Sequence, residues 1–228
     1  MQLKLSILHI TLYTLLKILE MKKFIAFIFI LATTLSVSAQ GTSSDEKPRR
    51  ALFERKDKEI PAKYMQGGVP EVNGKVTWEK TYKVEGMPAD KVYEMALSYF
   101  SSLVKGEEQT EKSTLAVVDR IGHKIVARAQ EWLVFSSKAL SLDKTKMNYA
   151  VSVECSDGSC KVIITNISYH YEEGRPTEAH YTAEEMISDK VAFNKKGTGF
   201  TKGGTKKFRI CTIDRMEKIL KRFELSLK

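Results

Sequence analysis

The chain has few of the residues on which common catalytic motifs depend. It contains four histidines, three cysteines and two tryptophans among its 228 residues. It lacks the C-x-x-C of oxidoreductases, the H-E-x-x-H of zinc proteases and the G-x-S-x-G of serine hydrolases. No reaction class is indicated, and we predict a protein that is not an enzyme and binds no cofactor.

The histidines do not form a recognisable metal-binding pattern. His180 and Glu184 have the i,i+4 spacing of neighbours on a helix, but no H-E-x-x-H or comparable cluster surrounds them. The other residues that a metal site could use are His123, His170, Glu172, Glu173 and Glu185. We interpret the histidines as solvated loop residues and predict no metal site.

Long apolar runs are scarce, and Phe24–Leu35 is too short to span a bilayer. It follows the basic pair Lys22-Lys23 and precedes the small residues Val37-Ser38-Ala39, which is the order of a secretory signal peptide. We predict a signal peptide over 21–39 and cleavage before Gln40. The mature protein is then periplasmic or secreted, with no stable membrane span.

Residues 1–20 allow two interpretations. Either translation starts at Met21 and they are not made, or they lengthen the basic region of the signal peptide. Export removes four lysines and one glutamate, which lowers the formal net charge from +9 to +6. A modest basic charge is typical of a solvated surface, although anionic glycans also bind such surfaces. An exported protein is not expected to meet nucleic acid.

Only five prolines occur in the chain, and three of them fall in residues 40–70 among many charged residues. This segment shows no sustained apolar period, so we predict a polar flexible arm. Regular patterning begins near the turn signal Asn73-Gly74. We therefore predict a single folded domain over 71–228.

The strongest local signal is Asp157-Gly158, which lies between two alternating apolar runs in residues 146–171. Such a dipeptide predicts a β-hairpin with a type I′ turn, in which both central residues have positive φ. The register then places Cys155 opposite Cys160 and Glu154 opposite Lys161, and the opposite charges of the second pair support it.

The facing cysteines occupy a non-hydrogen-bonded pair, where Cα atoms lie roughly 4.5 Å apart, within the range for a disulfide. We predict a structural Cys155–Cys160 disulfide, with a redox-active pair as the alternative. Cys211 remains as an odd thiol near a predicted helix start. It is either a buried inert residue or a thiol with a lowered pKa.

Other periodicities predict the remaining elements. Alternation predicts strands at Lys75–Val84, Ser113–Asp119 and His123–Val134, followed by a loop at Ser136–Thr145. Helical spacing predicts Pro88–Val104 and Phe208–Leu227, and Thr182-Ala183-Glu184-Glu185 has the capping-box form for a short helix. The pairs Asp214–Lys218 and Glu217–Lys221 are expected on the exposed side of the last helix. The order predicts an α+β fold: a two-layer antiparallel sheet of about five strands packed by two main helices.

Residues 195–207 form a Gly- and Lys-rich run that lacks the Gly-Lys-Ser/Thr core of a phosphate-binding loop. We predict either a mobile basic loop that binds an acidic partner or glycan, or a merely flexible connection. Its candidate residues are Lys195, Lys196, Phe200, Lys202, Lys206 and Lys207. Replacing Lys202, Lys206 and Lys207 by alanine is expected to leave the melting temperature nearly unchanged.

The chain resembles a family of exported bacterial proteins of unknown function with a TATA-binding-protein-like fold. The resemblance covers roughly residues 69–228 and rests on motifs of structural character. These motifs are Gly74-Lys75-Val76-Thr77-Trp78, Val84-Glu85-Gly86-Met87, Asp90-Lys91-Val92-Tyr93, Asp157-Gly158 with Ile163–Tyr169, Ala183-Glu184-Glu185-Met186-Ile187, and Phe208 with Thr212-Ile213-Asp214. It implies a fold and a compartment, and no catalytic residues.

These observations predict a non-catalytic exported module that binds a protein or other component of the cell envelope. The alternative is a carrier of a small apolar or glycan ligand held between the sheet and a helix. A hydrolase is the third hypothesis.

Overall fold

The computed structural model describes residues 60–138, 141–197, 199–201 and 204–228. The predicted signal peptide and most of the predicted arm lie outside these residues. The strands are β1 (Glu71–Val72), β2 (Lys75–Val76), β3 (Trp78–Lys83), β4 (Thr114–Asp119), β5 (Lys124–Lys138), β6 (Ser141–Ser156), β7 (Ser159–Tyr171) and β8 (Ala179–Thr182). The helices are α1 (Ala89–Leu103), α2 (Ala183–Met186), α3 (Asp189–Ala192) and α4 (Thr205–Ser226), with a 3₁₀ turn at Ala62–Tyr64.

Six strands form an antiparallel sheet in the order β3-β7-β6-β5-β4, with β8 also paired to β7. Strand β3 pairs with the first part of β7 and β8 with its last part. Strands β1 and β2 form a separate hairpin. The class is the predicted α+β, and the sheet has one strand more than expected.

One face of the sheet is covered by helices. Side chains two residues apart on β6 and β7 point to this face and are buried, including Val151, Val153, Val162 and Ile164. The long helices α1 and α4 contribute buried residues to the same core. The hydroxyls of Tyr82 and Tyr99 donate to backbone carbonyls of α4 at 2.9 and 2.7 Å, which ties the sheet and α1 to that helix.

The central hairpin has the predicted register, but its turn is of another type. Cys155 pairs with Cys160 and Glu154 with Lys161. Gly158 has a positive φ of 68°, whereas Asp157 does not. The type I′ prediction was wrong at Asp157 because the turn is bound to the chain before α1: Gly158 donates to the Met87 carbonyl and accepts from the Val84 N–H, each at 2.8 Å.

A two-residue turn with the positive φ angles of type I′ occurs instead at Asn73-Gly74. Both residues have positive φ, 51° and 75°, and they join β1 to β2. Asn and Gly are the residues that most readily adopt this left-handed conformation. Regular structure was predicted to begin near this turn, but it begins earlier, with the 3₁₀ turn at Ala62–Tyr64 and strand β1. The hairpin was not predicted.

The predicted loop at Ser136–Thr145 is wrong. Strand β5 continues to Lys138 and β6 begins at Ser141, with Ser136 paired to Asp143 after a register shift. The segment is polar and lacks a clear period of two. Backbone hydrogen bonds form its strand pairing, and a hydropathy pattern reports only the side chains. The pattern therefore could not predict these strands.

Residues 60–70, the end of the predicted arm, are packed against α4. Arg209 is fully buried, and its guanidinium donates to the carbonyls of Tyr64 and Met65 at 2.8 and 2.6 Å. It also donates to Asp189 at 2.6 Å and to the Ile187 carbonyl. One buried side chain therefore joins the segment before β1 to α3 and α4.

The ion pairs expected along the last helix are not those found. Lys63 binds the carboxylates of both Asp214 and Glu217, at 2.6 and 2.8 Å. Lys218 lies 3.8 Å from Glu108, and Lys221 lies 3.5 Å from Glu224. Lys63, which tertiary packing brings to α4, takes the carboxylates of Asp214 and Glu217, so the expected i,i+4 pairs are not formed.

Candidate functional site

The face of the sheet opposite α1 and α4 carries polar and charged side chains. Strand β5 presents Lys124, Val126, Arg128, Gln130 and Trp132 to this side. The side chains of Gln130, Asn148 and Ser168 follow one another across three strands, with hydrogen bonds of 2.8 and 3.3 Å. We call this surface the uncovered face.

Cations and anions of the uncovered face pair across strands. Glu154 binds Lys124 at 3.0 Å, and Lys161 binds Glu79 at 2.8 Å. Glu154 and Lys161, which face each other in the hairpin, thus form ion pairs with residues of the neighbouring strands and not with each other. Among the described residues, neither Arg128 nor Lys83 has a carboxylate at ion-pair distance.

A shallow groove of about 140 Å³ lies at the end of this face. Its lining residues are Trp132, Leu142, Asp143, Lys144, His170, Tyr171, Glu172, Glu173 and Arg175. The Lys144 ammonium lies 3.6 Å from the centre of the Trp132 ring, and that of Lys146 lies 5.3 Å from it. Such cation–π contacts hold the tryptophan ring against the sheet.

The carboxylates of the groove are all engaged by neighbouring groups. Asp143 accepts from Lys207 at 2.8 Å, and Glu172 pairs with Arg175 at 3.4 Å. Glu173 binds Lys146, and this interaction lowers the pKa of its carboxyl. Ion pairs with lysine or arginine therefore account for all three carboxylates that line the groove.

The structure brings together two of the three histidines considered as metal ligands. His170 pairs with His180 across β7 and β8, and Glu178 lies beside both. Glu178 was missed because it lies outside the spacing patterns considered. It can be found only once β8 is known to pair with β7.

The remaining candidate ligands lie elsewhere. The helical spacing of His180 and Glu184 is not realised, because His180 is on a strand and the helix begins at Ala183. Glu184 accepts from the Val76 N–H at 2.9 Å, and Glu185 closes the predicted capping box with Thr182. His123 lies 2.7 Å from Asp90 at the other end of the sheet.

The predicted basic loop is divided between a connection and a helix. Lys195 and Lys196 are exposed, and the Phe200 ring packs on Phe193 with centroids 4.9 Å apart. Lys202 lies outside the described residues. Helix α4 begins at Thr205, so placing Lys206 and Lys207 in a loop was wrong.

Lys207 is part of the packed structure. Its ammonium donates to Asp143 and to the Tyr171 hydroxyl, each at 2.8 Å, and lies 4.8 Å from the Phe135 ring centre. Burial by itself lowers the pKa of an amine, but these two acceptors hold the pKa of Lys207 above its usual value. Lys206, in contrast, is exposed, and its ammonium lies 5.7 Å from the centre of the Phe200 ring.

The predicted disulfide pair is adjacent in space. The Sγ atoms of Cys155 and Cys160 lie 3.2 Å apart as free thiols. The backbone N–H of Cys155 donates to His123 on the other side of β6, as expected of a non-hydrogen-bonded pair. The thiol hydrogen bond lowers the pKa of Cys155 and raises the pKa of Cys160.

Cys211 does not lie at a helix start. It is in the second turn of α4 and half-buried, and burial raises the pKa of its thiol. Its Sγ approaches the Val134 carbonyl at 3.9 Å. These features favour the inert thiol of the two interpretations.

A buried ion pair under the sheet was not predicted. Arg215 of α4 donates to both carboxylate oxygens of Glu131 at 2.6 and 2.7 Å, and Tyr149 donates to the same carboxylate at 3.0 Å. Glu131 is 1% exposed. The neighbours of Glu131 on the same face of β5 are apolar, so the period of two gives no sign that this position holds a buried charge. Its pairing with Arg215 is visible only in the tertiary structure. The pair ties α4 to the sheet.

These features define a two-layer α+β domain with one uncovered sheet face. The chain belongs to the family described as a domain of unknown function (DUF4468) with TBP-like fold, whose profile matches residues 78–170. The predicted resemblance is thereby confirmed. None of the helices in the part of the chain described by the structure has the length and apolar character needed to cross a bilayer.

Two solved structures are similar to this chain. A DUF4468 family protein from Bacteroides ovatus has 34% identity and a TM-score of 0.66, over 72% of this chain and 93% of that one. A TBP-like protein from Parabacteroides distasonis has 18% identity and a TM-score of 0.54, over 70% and 96%, and supports the fold alone. The comparison with curated proteins found no match.

Proposed function

We propose that this domain is a non-catalytic binding module of the cell envelope, and that its uncovered face binds an acidic segment of a protein partner. The observation that carries the proposal is the one-sided covering of the sheet, which leaves strands β3 to β7 with an accessible polar surface. Arg128 and Lys83 lie on that surface without an ion-pair partner among the described residues. Unpaired cations attract acidic partners and determine their register.

The shape of the surface supports a macromolecular partner. Pockets for small ligands typically enclose about 300–1,000 Å³, whereas the groove beside Trp132 encloses about 140 Å³. A shallow surface is better suited to an extended segment of a protein partner than to a small molecule, which binds in an enclosed pocket. The groove then serves as one end of a longer contact.

The packing of the interior gives less support to the carrier alternative. A carried ligand would lie between the sheet and the helices, where the rings of Tyr82, Phe100 and Phe223 pack on each other. Phe223 lies 5.1 Å from each of the other two ring centres. Side chains therefore occupy the space that a ligand would need.

The proposed compartment is outside the cytoplasm. It is supported by the signal-peptide pattern in residues 21–39 and by the adjacent thiols of Cys155 and Cys160, which an oxidising compartment would join. Mass spectrometry of the exported protein should find an N-terminus at Gln40. A protein that retains Met1 after export would contradict the signal peptide.

Site-specific photo-crosslinking in the native envelope tests the binding face. A crosslinking residue at Ser152, on the uncovered face, should join the domain to one recurrent envelope protein, whereas one at Ser98, on the exposed side of α1, should not. The crosslink should weaken as salt is added, because screening reduces the attraction between charges.

Charge reversal provides a matched control. Arg128→Glu with Lys144→Glu should abolish the Ser152 crosslink, and Lys91→Glu with Lys190→Glu, which changes the same charge on helices α1 and α3, should preserve it. Equal crosslinking from Ser152 and Ser98, or a crosslink that survives the first double substitution, would contradict the proposed face.

A further inference from the structure

Two histidines, a carboxylate and the end of the sheet meet beside the groove. His170 pairs in register with His180, and their rings stack with centroids 4.0 Å apart. One carboxylate oxygen of Glu178 lies 2.6 Å from Nε2 of His170 and 3.7 Å from Nε2 of His180. One donor atom from each residue falls within 4.8 Å of the other two.

We propose that His170, His180 and Glu178 form a binding site for a divalent transition-metal ion of the zinc class. Two imidazoles and one carboxylate are the donors that zinc prefers, at about 2.0–2.2 Å from each donor atom. Calcium and magnesium instead require a set of oxygen donors. Three protein ligands leave a coordination position for water or for a donor atom of the bound partner.

Two of the three ligands are held in place before any ion arrives. The side chain of His170 is 18% exposed, and the second carboxylate oxygen of Glu178 accepts from the Gly174 N–H at 2.7 Å. This backbone hydrogen bond fixes the orientation of the Glu178 carboxylate beside His170. A site that is largely preformed loses little ordering free energy when the ion binds.

An outer carboxylate lies behind the first ligand. Oε1 of Glu173 is 3.8 Å from Nδ1 of His170, and Lys146 binds the other oxygen of Glu173. When an ion occupies Nε2 of His170, the ring proton lies on Nδ1, facing Glu173. Carboxylate–histidine–metal arrangements orient the imidazole and increase its basicity once the two groups are hydrogen-bonded, which here requires Glu173 to approach Nδ1 more closely than 3.8 Å.

Binding requires one adjustment of the third ligand. Stacked rings direct their nitrogens side by side, so His180 must turn about its side-chain bonds to aim at a shared ion. Its side chain is 72% exposed and free to turn, while Glu178 already lies between the two nitrogens. The ion takes the place of the hydrogen bond between Nε2 of His170 and the Glu178 carboxylate: the two atoms, now 2.6 Å apart, separate to admit it, and the proton between them is released to solvent.

The alternative interpretation is a structural brace at the surface, in which the Glu178 carboxylate only orients the His170 ring through a hydrogen bond. The two interpretations differ in their response to metal: a brace gains no stability from zinc, whereas a site that binds zinc in the folded state alone raises the melting temperature with zinc concentration. The test uses the mature protein without a histidine tag, with zinc chloride or cobalt chloride as the only added ligand.

Calorimetric titration of zinc should show one saturable site per chain. Cobalt should give visible absorption without a thiolate charge-transfer band, which distinguishes the histidines from the Cys155–Cys160 pair. His180→Ala and Glu178→Gln should each weaken zinc binding at least tenfold, and Glu173→Gln by about tenfold. Calcium and magnesium should leave the melting temperature unchanged.

His123→Asn is the matched control, because His123 lies against Asp90 and away from the site. Its φ of 49° is compatible with asparagine. This variant should bind zinc as the unaltered protein does. Absence of saturable zinc binding, or zinc binding unchanged in both His180→Ala and Glu178→Gln, would overturn the proposal. Neither result would affect the crosslinking outcome at Ser152, so the metal site and the binding face are tested separately.

Discussion

Asp157, at the tip of the β6–β7 hairpin, accepts a hydrogen bond at 2.8 Å from the backbone N–H of Ala89, the first residue of α1. The same turn exchanges backbone hydrogen bonds with Val84 and Met87. Helix α1 has Pro88 at its N-cap, which offers no side-chain acceptor. A residue remote in sequence thus supplies the capping acceptor that the local sequence lacks.

Asp157→Ala should therefore lower the free energy of unfolding by about 1 kcal/mol, the usual cost of losing a helix-capping side chain. Asp157→Asn retains an acceptor oxygen and should lose less. Urea denaturation of the three proteins measures the difference. An equal loss in the two variants would show that the hydrogen bond to Ala89 does not contribute.

Lys207 should be a stability residue, contrary to the expectation from the sequence. Lys207→Met removes the hydrogen bonds to Asp143 and Tyr171 and should lower the free energy of unfolding by about 1 kcal/mol. Lys206→Met is the control, since the Lys206 side chain is exposed, and it should stay within about 0.5 kcal/mol of the unaltered protein. Thermal melts of both variants test this: a lower melting temperature for Lys207→Met alone indicates a packed Lys207, and unchanged melting temperatures for both indicate a mobile one.

The Cys155–Cys160 disulfide remains a prediction. Peptide mapping of the exported protein without reduction should find these two residues linked and Cys211 free. Because the closed loop is short, Cys155→Ala with Cys160→Ala should change stability only slightly by the chain-entropy argument. Recovery of Cys155 as a free thiol from an oxidising compartment would remove the disulfide.

The capping box before α2 should contribute a pH-dependent stability. The Thr182 N–H and hydroxyl hold the pKa of Glu185 below its usual value of 4.5. A carboxyl whose pKa is lower in the folded state stabilises the fold above its unfolded value, and this contribution disappears as the pH falls through the folded value.

Glu185→Ala should thus lower the melting temperature at neutral pH, and the difference from the unaltered protein should shrink below about pH 4. Glu111→Ala provides a comparison at an exposed carboxylate outside the capping box. A melting-temperature difference for Glu185→Ala that is the same at pH 7 and pH 3 would contradict the assignment.

Local sequence patterns predicted much of the architecture. Period-two alternation in β3, β6 and β7 reports which side chains face the core, and the Asp157-Gly158 turn defined the hairpin register because a slip of one residue would expose every apolar side chain. The capping box at Thr182 and the two long helices were likewise visible as local signals. Each of these depends on interactions between residues close in sequence.

The site could be predicted only in part. The chain order contains no indication that β8 returns to the far end of β7, and this pairing brings His180 to His170 and Glu178 to both. The same limitation applies to Lys207, which was taken for a loop residue because its acceptors at Asp143 and Tyr171 lie far away in sequence.

The sequence by itself determined the α+β class, the central hairpin and the faces of its strands, because alternation and helical spacing are properties of neighbouring residues. Tertiary structure alone decided which charges pair, how the Asp157 turn is bent, where Arg209 is buried and which histidines meet. These features depend on contacts between distant segments, whose free energies arise only when the sheet and helices have packed.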